Sequence, residues 1–233
     1  MRRNQMHAKF LLAATFLLGT VATNAQTDVA ASLYGAFAGS TAANGTAQSP
    51  SNAAGAMLEV RHIVHPWMGF EGTYSLNRAN QSYSSSTLAV CGVCTASTSW
   101  TAVSNNAHQV SGDWVASVKI MNFRPFALAG GGILFNQPAG GQATTTILVT
   151  ACGGGNPGCT VGQVTTSSTS TTSATKPVFV YGAGLDWGLL PHIGLRFQYR
   201  GNLYKAPNLT KLYTSTSAFT RTAEPMIGVY FRL

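Results

Sequence analysis

The chain has 233 residues, of which 45% are hydrophobic and only 9% charged, with 25 glycines, four cysteines and a formal charge of +8. Past residue 18 no apolar run approaches the ~20 residues that a helix needs to cross a bilayer, which excludes helical membrane architecture. Much of the charge falls singly between apolar residues and forms no basic run, which argues against nucleic-acid binding.

At the start, Arg2, Arg3 and Lys9 precede an apolar run from Phe10 to Leu18, and Thr23-Asn24-Ala25 ends on a small residue. This is the layout of a secretory signal peptide over residues 1–25, with cleavage expected after Ala25. Loss of those three cations takes the formal charge from +8 to +5. Residues 26–233 are read as one domain.

Eight segments of that domain alternate with period two, the signature of strands with two unlike faces. The first, near residues 30–39, sets Leu33, Gly35 and Phe37 against Ser32, Tyr34 and Ala36, and a Ser/Ala/Asn/Gly-rich loop is expected at 40–53. The second sets Leu58, Val60 and Val64 outward with Glu59 and Arg61 inward, and ends at His65-Pro66. Proline donates nothing to a ladder, so a tight turn follows. The third then carries Met68, Phe70, Tyr74 and Leu76 opposite Glu71, Thr73 and Asn77.

In the fourth, Val110, Trp114, Val118 and Ile120 oppose Ser111, Asp113, Ser117 and Lys119, before a short turn at residues 122–125. The fifth, around 126–135, is glycine-rich and weakly patterned. The sixth sets Phe179, Tyr181, Leu185 and Trp187 against Gly182, Gly184 and Asp186, and turns at Leu190-Pro191-His192. The seventh, residues 192–204, places Ile193, Leu195, Phe197 and Tyr199 opposite Gly194, Arg196, Gln198 and Arg200. The eighth closes the chain with Ile227, Val229, Phe231 and Leu233 on one face, and Glu224 and Arg232 on the other.

A globular sandwich also gives period-two alternation, but it turns apolar residues inward and charges outward. Here carboxylates and guanidinium groups oppose faces rich in Trp, Tyr and Phe, the pattern of strands with lipid outside and a polar interior. Short turns alternate with long Ser/Thr/Gly-rich connections. The predicted fold is therefore all-β: an eight-stranded antiparallel up-and-down transmembrane barrel with short periplasmic turns and long extracellular hairpin loops, in the bacterial outer membrane. Ten strands remain an alternative, because the third long connection is large.

The terminal stretch MIGVYFRL, with Gly228, Phe231 and Leu233, resembles the closing strand of small outer-membrane β-barrel proteins of the OmpA-domain and opacity-protein type. That resemblance implies a barrel-assembly signal read by the barrel-assembly machinery, although Leu233 stands where phenylalanine is commonest in the family. The expected molecule is a monomer in outer-membrane lipid.

An eight-stranded lumen is just wide enough for side chains to fill it. Glu59, Arg61, Glu71, Asp113, Lys119, Asp186, Arg196, Arg200, Glu224 and Arg232 share the inward parity and balance in sign, which predicts an ion-pair network in place of an open channel. Arg78, Lys176, Lys205, Lys211 and Arg221 fall on the long-loop rim, where phosphates of lipopolysaccharide are natural partners.

The cysteines come as Cys91/Cys94 and Cys152/Cys159 in two long loops of an exported chain, where disulfides are the default. Three pairings exist, and closing the two short loops is the least demanding in entropy. The flanking segments 81–90 with 95–103 and 143–151 with 160–168 are expected to zip into hairpins beyond the membrane. Zinc is disfavoured by the unequal spacing and the lack of a nearby histidine, so no metal or cofactor is expected.

Among the histidines only His108 lies near a serine and an aspartate, Ser111 and Asp113, and its parity puts it on the opposite face. No catalytic triad follows. The reading that results is a non-enzymatic structural or surface-interaction barrel whose extracellular ligand the sequence does not name. Alternatives are a small passive pore or a carrier for apolar molecules and, third, a barrel enzyme acting on lipid.

Overall fold

The computed structural model describes residues 26–89, 94–152 and 160–233; the expected signal peptide at 1–25, Cys91 and Cys159 lie outside the described residues. Twelve strands run through the described residues: β1 (Gln26–Ala38), β2 (Thr41–Ala43), β3 (Thr46–Pro50), β4 (Ala53–His65), β5 (Met68–Ala89), β6 (Cys94–Ser117), β7 (Phe123–Pro138), β8 (Gln142–Cys152), β9 (Thr160–Ser170), β10 (Ala174–Gly188), β11 (Ile193–Lys205) and β12 (Phe219–Arg232).

Eight of them close on themselves in the order β1-β4-β5-β6-β7-β10-β11-β12, every pair antiparallel. The seam is β12 against β1, with Val29 opposite Phe231 and Leu33 opposite Ile227. Closure leaves no unpaired edge in this part of the sheet. Strand β7 pairs directly with β10, Gly130 facing Val180. The chain between them therefore adds no strand to the barrel, and the count is eight, not ten.

The alternation read from sequence places each side chain as the pleat requires. Leu33 is 67% exposed and Leu58, Trp114, Phe179 and Ile227 are likewise on the outside, whereas Arg61, Arg196 and Arg200 are 0% exposed in the interior. A water-soluble protein would invert this distribution. Next to the short turns Phe70 packs on Trp114 at 4.3 Å and Phe123 on Trp187 at 6.0 Å between ring centroids, the aromatic girdle of a membrane interface. An even-numbered, apolar-faced, antiparallel barrel from a single chain is outer-membrane architecture.

Two expectations at the periplasmic rim need correction. Strand β6 ends at Ser117, because backbone hydrogen bonds between Ile120 and Phe123 make a tight turn with Met121 at φ 54°. Lys119 is consequently exposed in that turn, at the periplasmic mouth, and joins no ion pair of the lumen among the described residues. The same turn starts β7 at Phe123, so Arg124, read from sequence as a turn residue, points inward and is buried.

On the opposite side β5 and β6, with 22 and 24 residues, run far past the 9–11 residues that a membrane strand needs. Part of the stretch expected as loop at 40–53 is instead the β2–β3 hairpin, turned on Asn44-Gly45 with φ of 54° and 72°. Both residues have the positive φ that a two-residue type I′ turn requires. It joins β5 through β3, Thr46 facing Ser85, while the β8–β9 hairpin joins β6, Trp100 facing Thr146. An extracellular sheet in the order β2-β3-β5-β6-β8-β9 results.

Candidate functional site

The barrel interior divides into a charged middle, a capped extracellular half and an open periplasmic mouth. In the middle, Arg196 donates through Nε to Asp186 Oδ1 at 2.7 Å and through Nη2 to Asp186 Oδ2 at 3.0 Å, while its Nη1 donates to Glu59 Oε2 at 2.5 Å. Arg61 donates to Glu71 Oε2 from Nε at 2.7 Å and to Asp186 Oδ2 from Nη1 at 3.0 Å. Strands β4, β5, β10 and β11 are thus tied across the lumen. The Arg61 guanidinium also lies 3.9 Å from the centre of the Phe126 ring.

One layer towards the outside, Arg200 donates from Nη2 to Asp113 Oδ2 at 3.0 Å and to Ser111 Oγ at 2.8 Å, and sits 3.5 Å from Glu71 Oε1. Glu224 is buried opposite Arg200 in the β11–β12 ladder, yet forms no ion pair among the described residues. Arg232 reaches Asp28 at 3.7 Å, as does Arg124. Asp28 and Arg124 belong to this interior and were missed from sequence, the first because the strand begins at Gln26, four residues before its expected start. Room for the Arg196 layer comes from Gly228, which faces Arg196 across the β11–β12 ladder; a Cβ there would collide with Ser32 Oγ.

The interior is not all polar. Val115, Phe126, Leu128, Leu134, Val178 and Val180 form a buried apolar wall on β6, β7 and β10. Gly182 and Gly184, with the weakly patterned fifth segment, hid this wall from sequence.

Above the charged layer, residues 206–218 fold inward over the extracellular mouth. Leu209 and Thr210 are 0% exposed. Tyr83 on β5 donates its hydroxyl to Pro207 O at 2.8 Å, accepts from Leu209 N at 3.1 Å, and stacks on Tyr213 at 5.9 Å. Gln48 Nε2 adds a hydrogen bond to Pro207 O at 2.9 Å, and Thr172 N one to Leu209 O at 2.9 Å. Between cap and charged layer remains a cavity of about 40 Å³ beside Gln81, Asn105, Asn136, Asn202 and Glu224.

The remaining sequence candidates are distributed as follows. His108 meets Tyr74 Oη at 2.9 Å on the outer face, whereas Ser111 donates to Asp113 inside at 3.1 Å, so these three residues are not assembled. Phe231 and Leu233 face outward. Arg78, Lys205, Lys211 and Arg221 are exposed, and Lys176 is half-buried. The β6–β8 ladder sets Cys94 directly opposite Cys152.

No protein-family model and no curated protein matches the sequence. Among solved structures the chain is similar to the attachment invasion locus protein Ail of Yersinia pestis, crystallised with the heparin analogue sucrose octasulfate, at 13% identity and a TM-score of 0.43 over 90% of this chain and 99% of that one. It is also similar to Neisserial surface protein A (12%, 0.44, 88% and 96%) and to the outer membrane protein OprG of Pseudomonas aeruginosa (9%, 0.45, 89% and 95%).

Proposed function

We propose that this small outer-membrane barrel neither conducts nor catalyses, and that it acts through its extracellular sheet as a surface-interaction protein. The observation that carries the reading is the double occlusion of the lumen, by the Arg61/Arg196/Arg200 layer and by the 206–218 cap. A filled lumen leaves no continuous water path, and ion flow needs one. The chain instead invests its length in strands outside the membrane.

Oxidised cysteines would stiffen that sheet. The sequence favours the two local pairs, but directly opposed antiparallel residues have Cα separations of about 4.5–5.5 Å, within disulfide range, so the register favours Cys94 with Cys152. Such a bond ties the β8–β9 hairpin to the β5–β6 hairpin. Outward-facing Lys205 and Arg221 on neighbouring strands, with Arg78, are the cations offered to lipopolysaccharide phosphates. The outward Phe231 and Leu233, with Gly228, are the features offered to the assembly machinery.

The test is to run the folded protein on SDS gels unboiled and boiled, and to reconstitute it in planar bilayers. A heat-dependent mobility shift with no conductance is expected. Stable conductance steps would overturn the occluded reading, and absence of a shift would overturn the barrel. Acyl release from lipid A, abolished by His108→Ala, would overturn the non-catalytic reading.

A further inference from the structure

Below the charged layer the lumen opens towards the periplasm as a cavity of about 330 Å³, with Lys119, Asn122, Arg124, Asp186, Tyr230 and Arg232 on its walls. Arg124 is only 8% exposed, yet its Nε and Nη1 have no hydrogen-bond partner. Its Nη2 alone is engaged, donating to Gln26 Oε1 at 2.9 Å. The nearest carboxylate, Asp28, is 3.7 Å from Arg124 Nη1 and 3.7 Å from Arg232 Nε, too far for a hydrogen bond to either. Arg232 Nε is unpartnered as well.

Asp186 on the inner wall does not supply the missing acceptor, because Arg61 and Arg196 already send it three hydrogen bonds. Locally, then, Arg124, Arg232 and Lys119 share the mouth with one further carboxylate, Asp28, whose Oδ1 already accepts from Gln26 Nε2 at 2.7 Å. A buried guanidinium with idle donors is costly unless an acceptor arrives, and its planar fork matches tetrahedral oxyanions. We infer that the periplasmic mouth binds a phosphate group, with Arg124 as its buried ligand and Lys119 and Arg232 at the entrance. The group comes either from free phosphate in the periplasm or from a phospholipid headgroup of the inner leaflet, which lies at the same level as this mouth.

The experiment uses the folded mature protein in a phosphate-free detergent. Inorganic phosphate is titrated by calorimetry into the parent, Arg124→Gln and Lys119→Gln, and retention of phosphatidylglycerol is measured by native mass spectrometry on the same three proteins. Unboiled SDS gels verify folding; Lys119→Gln, at an exposed turn position, serves if Arg124→Gln does not fold. Loss of one charged hydrogen-bond donor corresponds to about tenfold or more in affinity for Arg124→Gln, and a smaller loss for the exposed Lys119. Saturable inorganic phosphate binding weakened in the variants identifies the free anion. Phosphatidylglycerol retention weakened in the variants, without binding of inorganic phosphate, identifies the headgroup. Binding of neither, or binding indifferent to both substitutions, overturns the inference.

Discussion

Arg196→Met tests the charged layer most directly. Arg196 is wholly buried and supplies two hydrogen bonds to Asp186 and one to Glu59. With methionine there, Asp186 keeps Arg61 at 3.0 Å, but Glu59 is left with a single hydrogen bond, from Ser32 Oγ at 3.2 Å. A buried carboxylate stripped of its cation destabilises by about 3–5 kcal/mol. Adding Glu59→Gln removes the stranded charge and keeps the shape, so the double variant is expected to recover more than half of that loss. Denaturant unfolding from phospholipid vesicles, followed by the fluorescence of the four tryptophans and by unboiled SDS gels, measures both. A single-variant cost below about 1 kcal/mol, the magnitude of a solvated surface pair, would refute the reasoning, as would a double variant no more stable than the single one.

Three further outcomes are expected. Tyr83→Phe removes one donor and one acceptor from the 206–218 cap, so amide hydrogen exchange there should accelerate as if the cap lost about 1–3 kcal/mol, while the barrel unfolds at the parent's denaturant concentration. Gly228→Ala forces a methyl group against Ser32 at the closing seam and should cost about 1–3 kcal/mol in the same unfolding assay, and slow refolding into vesicles. Peptide mapping without reduction should recover the β6 peptide ending the first long hairpin joined to the β8 peptide through Cys94 and Cys152; two separate intra-loop bonds would restore the local pairing instead.

Most of the barrel was legible because period two is a strong local signal wherever one face meets lipid. Glu59 and Arg61 alternating with Leu58 and Val60 leave one workable orientation, and shifting the register by one would put two charges in hydrocarbon. Strand ends were harder, since they depend on hydrogen bonds across the turn. The Ile120–Phe123 turn kept Lys119 out of the ion-pair layer and admitted Arg124, a shift of three residues in each strand end that alternation alone does not resolve. Asn44-Gly45 marks its hairpin by turn chemistry, within a stretch whose composition otherwise resembles loop. The cap had no local signal: APNLTKLYTSTS has neither period, and its inward fold depends on Tyr83 and Gln48, more than 120 residues away in sequence.

The three levels of the lumen carry different physical constraints, and the difference bears on where function lies. In the middle layer guanidinium groups and carboxylates satisfy one another across four strands, so no member moves without exposing a buried charge. The extracellular cap rests on neutral hydrogen bonds and ring stacking, each worth about a kcal/mol, and can open locally without disturbing the charges below. At the periplasmic mouth Arg124 leaves two buried donors, Nε and Nη1, idle beside an open cavity. A ligand that needs conformational freedom therefore meets this protein outside the membrane, on the cap and the hairpins around it, whereas one that needs only fixed charge meets it at the mouth. The layer between them insulates each end from the other, so a substitution that loosens the Tyr83 contacts should leave phosphate binding at Arg124 unchanged.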